Sequence, residues 1–126
     1  MKITAEVLKD YQSNSKCIDA LQESIDRTKR QAYLYDEPET ALHAARLESE
    51  NRLIKKWLNQ IAELKAKNEK IETWAARIAD PVIKKSVILH YLQGYTWQQT
   101  TAKVTNGYTD PHTLAKSVRT FIEKNA

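Results

Sequence analysis

"GYTWQQTTAKVTNGYTDPHT", residues 94–113, carries Gly-Tyr-Thr twice and holds both glycines of the 126-residue chain. Elsewhere turn formers are scarce: of the three prolines, Pro111 lies in this stretch, Pro81 shortly before it and Pro38 far upstream. A chain so poor in breakers favours long helices, and punctuation gathered at one end cuts that end into short ones. Each copy of the tripeptide leaves one helix, places an aromatic ring and begins the next. The residues flanking the two copies do not match, so no internal duplication is inferred.

Working outward from this stretch, Asp80-Pro81 reads as a helix start, with Asp capping free amides and Pro at the first position, where its missing N–H costs nothing. Val82, Ile83, Val87, Leu89, Tyr91 and Leu92 then predict a short helix that ends at Gly94 in the left-handed region. Thr96-Trp97-Gln98-Gln99 is a T-x-x-Q capping box, opening a second helix that runs to about Val104. Gly107 lies in the following turn. Asp110-Pro111 repeats the cap-plus-proline start, and Leu114, Val118, Phe121 and Ile122 give a third helix one apolar face.

Upstream, the pattern is long and regular. Stepping alternately by four and three from Val7 gives Tyr11, Asn14, Ile18, Leu21, Ile25, Thr28, Ala32 and Tyr35, a seam that stops at the "DEPET" turn around Pro38. A second seam runs through Leu47, Glu50, Ile54, Trp57, Ile61, Leu64, Asn68, Ile71, Ala75 and Ile78. Together they predict an antiparallel helical hairpin. A two-helix rod covers little apolar surface by itself, so a second copy, or the C-terminal bundle, is expected on what remains. Asn14 and Asn68 fall on the seams, where a buried amide fixes register and a frayed seam leaves it in water. Trp57 reads as core, Trp74 as a ring beside the seam able to dock the C-terminal bundle, and Trp97 as the plug of that bundle.

Charge is unevenly distributed. Residues 1–79 hold 14 Lys and Arg against 13 Asp and Glu, whereas residues 80–126 hold 6 against 3, within a net charge of +4. A basic C-terminal end favours a polyanionic partner. The one cysteine, Cys17, permits no internal disulfide, and beside Ile18 and Leu21 it reads as a small packed thiol. No signal-peptide core appears at the N-terminus, and no run approaches the roughly 20 apolar residues of a membrane span. An intracellular protein is expected. His43, His90 and His112 lack the spacing of a zinc site, and neither a phosphate loop nor a Ser-His-Asp or paired-carboxylate arrangement can be argued, so neither cofactor nor enzymatic activity is expected.

Three short helices, the last two separated by a glycine-bearing turn, have the pattern of a helix-turn-helix. On the last helix His112, Thr113, Lys116, Ser117, Arg119 and Thr120 would be exposed, with groups suited to phosphates and base edges. The stretch "DPVIKKSVILHYLQGYTWQQTTAKV", with "VRTFI" after it, resembles the C-terminal part of phage-encoded transcription regulators of the ArpU/RinA type, over about 40 of the 126 residues. Leu89 to Trp97 matches that family's run except that His90 stands where Arg is usual; Thr100-Thr101 replaces an Ile-Ala, and the turn "TNGYTD" is longer than usual. The resemblance implies a helix-turn-helix similar to region 4 of sigma factors, binding double-stranded DNA in late-gene control in the cytoplasm of a bacterial host.

The expectation is therefore all-α: residues 1–79 a long coiled-coil-like hairpin for oligomerisation or interaction, residues 80–126 a three-helix DNA-binding domain. The six residues named on the last helix are its expected DNA contacts. Two non-enzymatic rivals remain: a structural or adaptor protein that binds another protein such as RNA polymerase, and a DNA-packaging subunit.

Overall fold

The structure, a computed structural model, describes residues 2–34 and 41–125. It is all-helical, with no strand among the described residues. Five helices follow one another: α1 (Ala5–Leu34), α2 (Ala41–Ala76), α3 (Pro81–Val87), α4 (Trp97–Thr105) and α5 (Pro111–Asn125). At 1.5 Å per residue, the 30 residues of α1 and 36 of α2 run about 45 and 54 Å. The expected turn at Pro38 lies outside the described residues.

The three short helices begin where their caps specify. The Asp80 carboxylate accepts from the N–H groups of Val82 and Ile83, with Pro81 in the first position. The Thr96 hydroxyl accepts from Gln99 N–H while the Gln99 side chain accepts from Thr96 N–H, completing the capping box. Asp110 accepts from Thr113 N–H at 2.9 Å. Between α4 and α5, Asn106 and Gly107 are both left-handed, with φ of 53° and 84°. A right-handed helix cannot continue through that pair, so the chain turns.

Packing divides the chain into two units, Met1–Asn14 with Lys67–Ala126, and Ser15–Ala66. The first contains a continuous core of Ile3, Leu8, Ile71, Ala75, Ile78, Ile83, Val87, Tyr91, Leu114, Val118 and Ile122. A boundary between residues 79 and 80 runs through the middle of this core: α3, the turn after it and α5 share it with the first turns of α1 and the last turns of α2, while α4 packs on α3 and α5. Leu8, absent from the seam beginning at Val7, is the residue of α1 wholly removed from water. Trp74 meets Phe121 with ring centroids 6.3 Å apart, joining the end of α2 to α5. Polar contacts join α1 to α2 in the same unit. Asn14 donates to Asn68 at 3.0 Å, and the Tyr11 hydroxyl donates to Glu72 at 2.5 Å. Burial and then the Glu72 carboxylate push the Tyr11 phenol up to about 12.

In the second unit Ile25 and Ile61 are buried, and Ile18, Leu21, Ile54, Trp57 and Leu64 are half-buried, so the inward positions follow the seams. Leu47, the first residue of the second seam, is exposed, as are Leu53 and Leu58. Cys17, expected to be packed, is exposed. A narrow seam leaves its shoulders in water, and Cys17 sits on such a shoulder, three residues from Asn14 and four from Leu21.

Candidate nucleic-acid interface

The interface is built on α5, which the Asp110 cap and Pro111 start and four residues anchor. Leu114, Ala115, Val118 and Ile122 are buried against the core. At about 100° per residue these positions fill one side of the helix and leave the other free. His112, Thr113, Lys116, Ser117, Arg119 and Thr120 are all exposed. The same spacing groups His112, Lys116 and Arg119 on one flank, places Thr113 and Thr120 mid-face and sets Ser117 on the opposite flank.

The six groups differ in what they have to offer. The Thr113 hydroxyl donates to the Asp110 carboxylate at 2.8 Å, and the Thr120 hydroxyl donates to the Lys116 carbonyl at 2.9 Å. Both hydrogens are thereby engaged, and the two hydroxyls retain only acceptor capacity. Lys116 and Arg119 form no ion pair among the described residues, so their donors are open. The Thr113 N–H and hydroxyl, and after them His112, hold the Asp110 carboxyl below the usual carboxylate range. Glu123, one turn beyond Arg119, adds an exposed acid to this flank.

Behind α5 lies a feature that sequence did not disclose. After Val87 the helix widens into a π-turn over Ile88–Leu92, closed by Gln93 N–H on the Ile88 carbonyl at 2.9 Å. Gln12 of α1 donates its amide to the Leu92 carbonyl and, at 3.4 Å, to that of Tyr91, meeting acceptors at the end of the turn. Gly94 follows at φ 82°, where a side chain is strained whatever the space. The turn directs Tyr91 into the core and His90 against Trp97, the two rings stacked at 3.9 Å. Trp97, expected at the centre of the bundle, is half-buried. As the first residue of α4 it lies at the lip, while Tyr91 takes the inner place.

His90 Nδ1 is 2.8 Å from the Tyr95 carbonyl. Burial pushes the His90 imidazole down, the Tyr95 bond opposes this, and the charges of Arg119 and Lys9 add to the depression. Arg119 also lowers Tyr91, whose phenol burial has raised. The charges of Arg119 and of Lys9 on α1 are thus felt at the π-turn. Nothing in the heptad-like spacing of α1 marks Lys9 as different from its other lysines.

Among the described residues no three His, Cys, Asp or Glu side chains are placed to hold a metal ion, and no helix is long and apolar enough to cross a membrane. Comparison with protein-family models, curated proteins and solved structures returns no match.

Proposed function

We propose that the protein is a non-enzymatic, phage-type DNA-binding transcriptional regulator, in which α4, the turn at Asn106–Asp110 and α5 form a helix-turn-helix and α5 reads the major groove of duplex DNA. One observation carries this reading: α5 turns its apolar residues inward and six polar ones outward, with Lys116 and Arg119 unpaired among the described residues. The caps at Asp80, Thr96 and Asp110 support the three-helix arrangement. The link to phage late-gene control rests on the resemblance of Leu89–Trp97. Residues 15–66 then supply self-association, since this unit keeps Leu47, Leu53 and Leu58 exposed.

Titration of random duplex against salt tests the reading. Lys116→Ala and Arg119→Ala each take one cation away from the phosphates, and each is expected to flatten the log-log slope of affinity by about 0.9. An unchanged slope removes α5 from the binding surface.

The same exposed leucines favour a second reading, an adaptor whose working part is the helical unit of residues 15–66 and whose partner is a protein such as RNA polymerase. Absence of any duplex binding at low salt selects this reading over the first.

A further inference from the structure

The surface beside α5 is not built by the C-terminal helices alone. A cleft of about 310 Å³ lies between the start of α1 and the C-terminal half of α5, lined by Lys2, Thr4, Ala5, Arg119, Ile122 and Glu123. Thr4 fixes this edge, its hydroxyl accepting from Val7 N–H at 3.2 Å. Ile3 and Leu8, buried in the common core, hold the first turns of α1 in place beneath it. Lys2 and Lys9 are thus carried on an anchored segment.

Lys2, Lys9 and Arg119 are exposed, and none forms an ion pair among the described residues. Glu6 and Asp10 stand among them on α1, likewise without an ion pair among the described residues, and Glu123 is the one acid among the residues lining the cleft. Lys9 lies one turn along α1 from Ala5, which lines the cleft, and its charge and that of Arg119 both bear on His90. Three cations held on one side of a small unit repel one another, and a partner with closely spaced negative charges relieves that repulsion.

We propose that Lys2 and Lys9 are DNA-backbone contacts, so that the phosphates of one strand run from the Lys116–Arg119 flank of α5 across the cleft to the first turns of α1. This deepens the DNA-binding reading and rests on it: the N-terminal residues belong to the nucleic-acid surface and not only to an association element. Duplex DNA is the occupant because its repeating phosphates match cations spread over two elements, Lys116 and Arg119 on α5 and Lys2 and Lys9 at the N-terminal end. Glu123 opposes the contact and limits its strength.

The test uses the full chain and a fluorescent random-sequence duplex, with anisotropy recorded over a salt series. Lys2→Ala/Lys9→Ala is expected to flatten the log-log slope by about 1.8, and Glu123→Gln to tighten binding at low salt. Lys55→Ala/Lys56→Ala, in residues 15–66, is the control for simple loss of net charge and leaves the slope within about 0.3 of wild type. All the substituted side chains are exposed, and circular dichroism checks that helicity persists. A slope that flattens with Lys116→Ala but not with Lys2→Ala/Lys9→Ala overturns the N-terminal contact and leaves the reading of α5 standing. Equal flattening by the control pair also overturns it, and a wild-type chain that binds no duplex at low salt overturns both.

Discussion

His90 carries one chemical choice on a half-buried ring. A carbonyl oxygen can only accept, so Nδ1 bears the hydrogen that meets Tyr95, and Nε2 is bare in the neutral ring. Protonating Nε2 would place a charge against Trp97 and near two cations, and burial already disfavours it. The folded ring thus takes up its proton less readily than the unfolded one. The unfolded state binds more protons as pH falls below the ordinary His value of about 6.5, so stability is complete above that value and declines below it. Thermal melts should show a lower midpoint at about pH 5.5 than at about pH 7.5, and His90→Gln should reduce that difference. An undiminished difference in the variant assigns the effect elsewhere. The position where the resembled family has Arg is therefore occupied here by a packing group, and the guanidinium whose charge bears on that ring is Arg119's.

At the scale of elements, α1 and α2 are joined in the first unit by amides as well as by apolar side chains. Asn68 is buried and receives the Asn14 amide while its own amide approaches the Tyr11 carbonyl at 3.5 Å. Removing one partner takes a hydrogen bond from this buried junction, which costs about 1 kcal/mol. Asn14→Ala and Asn68→Ala are each expected to lower stability to urea, and the double variant to fall short of their sum by about 1 kcal/mol. Strict additivity would deny the pair any joint role. The pairing was half-legible: the three-four spacing placed both residues on seams, but spacing cannot tell an amide that meets a partner from one that meets water. The caps were fully legible, because Asp80, Thr96 and Asp110 act on N–H groups two or three residues away. The π-turn was not, since it involves Gln12 from the other end of the chain.

For the whole molecule, the proposed function makes a statement about mass. Residues 15–66 bury Ile25 and Ile61 but leave Leu47, Leu53 and Leu58 in water, and the proposed self-association would cover part of that surface. Light scattering is expected to give a mass above that of one chain, and Leu53→Lys/Leu58→Lys to shift it toward one chain with helicity retained. A wild-type mass of one chain removes self-association from the proposal. A ring-sized mass points instead to the DNA-packaging alternative.

Features that depend on near neighbours were legible in the residues alone. Among them are the all-helical class, the starts of the three short helices, and the inward sides of residues 15–66 and of α5, because caps and apolar periodicity act within one or two turns. Packing in space settled that residues 1–14 pack with residues 67–126, that Leu8 rather than Val7 is the buried anchor, that Trp97 lies at the lip against His90, and that Lys2 lines one cleft with Arg119. Most of those outcomes join residues from the two ends of the chain. Such pairings arise from which apolar faces can close on one another in space, and no local pattern encodes that choice.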